Sequence, residues 1–231
     1  MIAYSPARPI YNRAMGSVRL GVTVANLIFA LAIAHPAAGQ LASRPADEWA
    51  KTLEGAERVA SLKIDEVVGA LRLRPGDQVA DIGAGPGLLE VPLAKAVGST
   101  GRVYAVDIDA GFFPEIKKRA ADAGIANVQT ILGKFTDPAL PATNIDVALF
   151  HDVLHHVEDR QSYLKTLTRY LSTRGRVVVV DYEARQGPHA GEPDLQVTRE
   201  QLAAWMKAAG LTQIEDVKLF PTKYVLVYAR K

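Results

Sequence analysis

Short apolar runs alternate with longer amphipathic stretches through most of this chain, and the alternation leaves few folds open. Runs of strand character are expected near Gln78–Ile82, Arg102–Val106, Val128–Leu132, Ile145–Phe150 and Arg176–Asp181. Between and after them, helical periodicity is expected near Pro86–Val97, Phe112–Ala123, Asp159–Leu171 and Thr198–Ala209. Strands joined by helices of this length pair in parallel, because a parallel pair needs a long crossover and right-handed crossovers dominate. The tail departs from the pattern. Gln213–Leu219 and Tyr224–Tyr228 read as strands with only Phe220-Pro221-Thr222-Lys223 between them, too few residues for a crossover, so they predict an antiparallel hairpin. The predicted class is α/β: a doubly wound, seven-stranded sheet, mostly parallel, closed by an antiparallel C-terminal hairpin.

The segment before this pattern has a different chemistry. Arg8, Arg13 and Arg19 are the only charges in the first 39 residues, and Leu20 to Ala34 is mostly apolar. That layout predicts an export signal peptide over residues 1–39, with small residues Ala37, Ala38 and Gly39 placed for cleavage before Gln40. The alternative is an uncleaved membrane anchor at residues 20–34. Fifteen residues rising about 1.5 Å each reach roughly 22 Å, short of a hydrocarbon core of about 30 Å, which favours cleavage and an exported domain. The domain boundaries that follow are 1–39 leader, 40–73 linker and helical segment, and 74–231 main domain. Loss of the leader would turn the formal charge of +2 into −1, and no basic stripe points to nucleic acid. Cysteine is absent, which excludes disulfides and thiolate chemistry. Contact with a membrane is expected only through an uncleaved leader, and oligomeric state is not legible.

After the first predicted strand comes Asp81-Ile82-Gly83-Ala84-Gly85-Pro86-Gly87. Glycines at such a turn allow close backbone approach and leave amides free for an anionic or polar ligand group. Asp107 lies twenty residues beyond Gly87 at the end of the second strand, where doubly wound folds place an acid for ribose hydroxyls. Asp109 competes for that role. The two features together suit an adenosine-containing cofactor, either NAD or S-adenosylmethionine (SAM). A dinucleotide fingerprint requires a small residue at position 88, where this chain has Leu88, so its spacing is GxGxG.

At this point the sequence resembles the class I SAM-dependent methyltransferases, with their Rossmann-like fold, from about residue 45 to the end. The resemblance is carried by Arg74 to Gly83, by Gly101-Arg102-Val103-Tyr104-Ala105-Val106-Asp107 and by the run Asp146 to Val157, besides the glycine turn and the terminal hairpin. It implies that Asp81, Gly83, Gly85 and Gly87 hold the methionine part of SAM. It further implies that Asp107 takes the ribose hydroxyls, that Ile108 packs on the adenine, and that His151 and Asp152 line the floor beneath the sulfonium. The chain departs from its relatives at Lys134, where many place an acid for the adenine amino group; a lysine cannot accept that bond, which leaves backbone groups, Thr136 or Asp137. It also carries Asp194-Leu195-Gln196-Val197 where similar exported-looking members often have a His-Arg pair.

Three histidines cluster at His151, His155 and His156. His151 and His155 would share a helical face and could bind a metal, but the helix is expected to begin only after Val157 and no third ligand is spaced to join them, so no metal is expected. His155 or His156 as general base is the catalytic alternative, because imidazole titrates near neutrality; packing of His155 against the sheet edge is the other. Tyr182 and Glu183, at the carboxyl edge of the fifth strand, are candidates for the acceptor pocket or plain loop surface. The expected function is methyl transfer from SAM to a small-molecule or lipid-like acceptor. The rivals are a non-catalytic, exported SAM- or nucleoside-binding protein and an NAD-dependent oxidoreductase.

Overall fold

The computed structural model describes residues 45–231. The leader expected at 1–39, and the anchor alternative at 20–34, lie outside the described residues. No helix among those described is long and apolar enough to cross a membrane.

Seven strands form one sheet: β1 (Gln78–Ile82), β2 (Arg102–Asp107), β3 (Val128–Leu132), β4 (Ile145–His151), β5 (Leu171–Tyr182), β6 (Thr212–Asp216) and β7 (Lys223–Ala229). Their order is β3-β2-β1-β4-β5-β7-β6. The first five pair in parallel, and β7 runs antiparallel to both β5 and β6. Alternation along the strands sorts side chains onto two faces. On one face Val79, Val103, Val147, Leu149, Val178 and Val227 are buried beneath helical residues. On the other, Ala80, Tyr104, Ala148, Phe150, Val177 and Leu226 are covered likewise.

Seven helices are described: α1 (Ala46–Leu53), α2 (Ala56–Leu62), α3 (Ile64–Ala70), α4 (Glu90–Val97), α5 (Phe113–Asp122), α6 (Arg160–Leu167) and α7 (Arg199–Ala208). The helical rhythm expected over 46–73 resolves into three short helices. Gly55 caps the second, and Lys63, at φ 49°, turns the chain into the third. Val67 and Leu71 of this segment are buried in the core, and Leu71 O accepts a hydrogen bond from Arg176 Nη2 at 2.8 Å.

Several boundaries differ from expectation: β5 begins at Leu171, five residues before the predicted Arg176, and the helix predicted to reach Leu171 ends at Leu167. The helix predicted from Pro86 begins at Glu90, because Gly83, Gly85 and Gly87 all take positive φ (78°, 52° and 83°), which a right-handed helix cannot use. The strand predicted to Leu219 ends at Asp216. Val217 N still donates to Val225 O at 2.9 Å just past the strand, and Val217, Leu219 and Phe220 pack against the core.

Candidate functional site

The carboxyl ends of β1, β2, β4 and β5 bring the predicted residues together at one edge of the sheet. The glycine turn is fastened to β2: Gly83 N and Ala84 N both donate to Val106 O, at 2.8 and 3.0 Å. A Cβ on Gly83 would lie 2.3 Å from Val153 Cγ2, and one on Gly87 2.8 Å from Ile116 Cγ1. Glycine is therefore required at both positions by space as well as by dihedral angle.

Asp107 ends β2 with Oδ2 accepting from Gly85 N at 2.8 Å and Oδ1 from Asp109 N at 2.9 Å. Burial raises its pKa, and the backbone amides oppose the rise. Each carboxylate oxygen keeps a free lone pair for a ligand hydroxyl. Asp109 is spent differently: its Oδ1 accepts from Gly111 N at 2.8 Å and caps a short 3₁₀ turn. Ile108 is 37% exposed between them, a free apolar surface beside the carboxylate.

Beneath the turn lies a pair of acids, of which sequence reasoning found one. Asp81 and Glu90 are both buried and face each other closely enough for their carboxyls to share a hydrogen bond, and Asp81 Oδ2 and both Glu90 oxygens have no other partner among the described residues. Burial, with the Asp107 charge adding to it, pushes Asp81 to about 7; burial and Asp81 push Glu90 well above its ordinary range. Glu90 gave one signal in the sequence, a lone acid within the otherwise apolar run Leu88 to Leu93. Buried carboxyls at a ligand edge are the complement of a cation.

At the end of β4, Asp152 adopts φ 55° and its Oδ2 accepts from Lys223 Nζ at 2.6 Å, with Arg58 Nη1 4.0 Å away. Neighbouring His151 is buried, has no partner for either ring nitrogen among the described residues, and is lowered by that burial to about 4. His155 sits on a 3₁₀ turn, Leu154–His156, with Nδ1 2.8 Å from Asp181 Oδ1. The carboxylate accepts, which puts the ring proton on Nδ1 and leaves Nε2 its lone pair. Burial, then the neighbouring His155 and His189, lower His156 to about 3. At such values His151 and His156 are neutral and weak proton acceptors, so His155 has the geometry of a base.

Tyr182 and Glu183 line a small cleft with His155, Asp181, His189 and Val197. The Glu183 carboxylate is held by Arg199, whose Nη2 donates to Oε1 at 2.6 Å, so this residue contributes wall and not a free charge. On the adenine side, Lys134 is exposed, and Asp137 Oδ1 accepts from Tyr170 Oη at 2.8 Å and Ala139 N at 2.7 Å. That oxygen of Asp137 is committed within the protein, leaving backbone groups, Thr136 or Asp137 Oδ2 for the adenine amino group.

Residues 73–218, more than half of the chain, match a family model described as a methyltransferase domain. The chain belongs to the class I SAM-dependent methyltransferases. This methyltransferase domain is 31% identical over 117 residues to the ubiquinone/menaquinone biosynthesis C-methyltransferase UbiE of Ectopseudomonas mendocina, covering 50% of this chain and 46% of that protein. It is 31% identical over 110 residues to the 2-phytyl-1,4-naphtoquinone methyltransferase of Trichormus variabilis, covering 47% and 48%. The chain thus spans about half the length of the curated relatives it matches. Its fold is shared with a SAM-dependent methyltransferase from Aquifex aeolicus at TM-score 0.70 and 20% identity, over 78% of this chain and 96% of that one.

The residues of this methyltransferase edge fit SAM. The cofactor carries an ammonium and a sulfonium, and Asp81, raised to about 7 beside the glycine turn, can ionise to face a cation there. A pH effect follows. Asp81, ordinarily near 3.8, is raised to about 7 in the folded chain, so its stabilising contribution is full below about pH 4 and is lost as pH rises through about 7. An ammonium bound beside it favours the ionised form. SAM affinity is expected to rise between pH 6 and 8 with net proton release, measured by calorimetry in two buffers of different ionisation heat; pH-independent affinity would remove Asp81 from the site.

Proposed function

We propose that this domain transfers the SAM methyl group to a small, apolar acceptor of the quinol type. The observation that carries the reading is the placement of the Asp81–Glu90 pair, the glycine turn and Asp107 at the ends of adjacent strands, with an acceptor-side rim beyond them. The names of the two quinone-related relatives point to a lipid-like ring as acceptor.

When bound, SAM supplies an already activated methyl sulfonium, so the protein's task is alignment and exclusion of water. Asp81 faces the ammonium of the amino-acid end, and Asp107 accepts from the ribose hydroxyls. Ala46, Trp49, Ala50 and Leu53 of α1 pack near Ala84 and Phe112, and Leu53 Cδ1 comes within 3.5 Å of where a Gly85 Cβ would stand. That apolar helix shields the turn from solvent. On the acceptor side His155, oriented by Asp181, takes the proton that the acceptor loses.

Incubation of the protein with methyl-labelled SAM and either a quinol or a crude lipid extract tests the reading. Label is expected in the organic-soluble fraction, and most strongly with hydroxylated ring acceptors. Label bound to protein but never transferred would identify a binder in place of an enzyme.

A further inference from the structure

Beside the proton-accepting role proposed for His155, the same edge carries a cluster of which methyl transfer alone gives no account. His155, His156 and His189 each present a ring nitrogen within 4.8 Å of the others. The ring centroids are 4.2 Å apart for His155 and His156, and 5.1 and 5.2 Å from each of these to His189. His189 comes from the loop after β5, 33 residues beyond His156, which is why no local spacing showed it.

No N–H···N bond joins these three rings among the described residues, although neutral imidazoles can either pair in that way or converge on a cation. Two of the three are set up for the latter. Asp181 Oδ1 holds His155 Nδ1 at 2.8 Å, and Glu192 Oε1 holds His189 Nδ1 at 2.8 Å. A carboxylate behind the distal nitrogen fixes tautomer and ring orientation and raises the basicity of the other nitrogen, the usual outer shell of a metal-bound histidine. The third ring, His156, has Nδ1 buried and without a partner among the described residues. Buried ring nitrogens are normally paired, so this one awaits a ligand.

The backbone around the cluster is tied together as well. Arg160 Nη2 donates to His155 O at 2.5 Å and to Asp194 O at 2.8 Å, joining the 3₁₀ turn to the His189 loop. Gln196 Nε2 donates to His189 O at 2.5 Å. The guanidinium of Arg160 lies beside this framework, and three carbonyls, including Leu154 O, engage it.

We propose that His155, His156 and His189 form a binding site for one divalent transition-metal ion of the zinc class, with Asp181 and Glu192 as positioning residues. Three neutral imidazoles suit zinc and its neighbours and leave a fourth coordination position for water or substrate. In a tetrahedral site the nitrogens would stand about 3.4 Å apart, so the rings draw together slightly on loading. His155 and His189 line the cleft with Tyr182 and Val197, which places the open position where an acceptor oxygen enters. A metal on His155 Nε2 replaces that nitrogen as proton acceptor; the loaded site lowers the pKa of a bound hydroxyl instead.

The test uses the full chain, stripped with a chelator and titrated with Zn²⁺ against a chromophoric competitor, and with Co²⁺ followed by its visible absorption. One ion per chain is expected, with an intense tetrahedral Co²⁺ band. Glu192→Gln, at a side chain 46% exposed, should fold normally and weaken Zn²⁺ affinity about 10- to 100-fold. His189→Ala should remove the Co²⁺ band while leaving circular dichroism and SAM affinity unchanged. Failure to bind either ion stoichiometrically, or binding that survives His189→Ala, overturns the assignment. SAM affinity is read separately, so such a failure leaves the methyltransferase reading standing.

Discussion

Lys223→Met is expected to destabilise the fold by about 3–5 kcal/mol, the cost of leaving one partner of a buried ion pair without the other. Lys223 Nζ donates to Asp152 Oδ2 at 2.6 Å, and their side chains are 3% and 2% exposed. Methionine fills nearly the same volume against Tyr182 and Phe220, whose rings lie 4.6 and 5.2 Å from Nζ, so packing changes little and the charge effect stands alone. Arg58, at 4.0 Å from the same carboxylate, recovers only part of the loss. A urea titration should show a lower midpoint at unchanged slope. The double variant Lys223→Met with Asp152→Asn should regain much of the stability, because asparagine tolerates the φ of 55° at this position and carries no charge. A loss below about 1 kcal/mol in the single variant would mean that water reaches Asp152 and that the pair contributes as a surface bridge does.

That pair shows where the sequence stopped being legible. Asp152 was readable as part of the segment after the fourth strand, but its partner is 71 residues away on β7, and no periodicity links the two. The strands themselves were readable as short, largely apolar runs; Gln78–Ile82 and Val128–Leu132 match to the residue, although the second is an edge strand and only partly buried. The antiparallel hairpin was readable from loop length alone. Helix starts were less so: three positive-φ glycines delay α4 to Glu90, and glycine content announces a turn without giving its length.

The site divides in the same way. Asp81, the glycines and Asp107 lie within 27 residues at the ends of adjacent strands, so sequence order carries their geometry. Glu90 was missed because an acid in a first helical turn is ordinarily a surface complement to the helix dipole, and only the tertiary structure buries it against Asp81. His189 was missed because a loop brings it to His155. Glu183 was read as a pocket group or plain loop surface, and Arg199, sixteen residues on, engages its carboxylate.

The central claim is that Asp107 and the glycine turn hold the ribose and amino-acid ends of SAM. Asp107→Ala removes a charge-assisted acceptor worth about 2 kcal/mol and also frees Gly85 N, which Asp107 Oδ2 holds at 2.8 Å. Calorimetric titration of the unaltered chain and of this variant, each with SAM and with NAD⁺, is the most direct measurement. One SAM should bind per chain, about thirty-fold more weakly in Asp107→Ala, with no heat from NAD⁺ in either protein. Equal SAM affinity in the two proteins, or binding of NAD⁺ in place of SAM, would contradict the account.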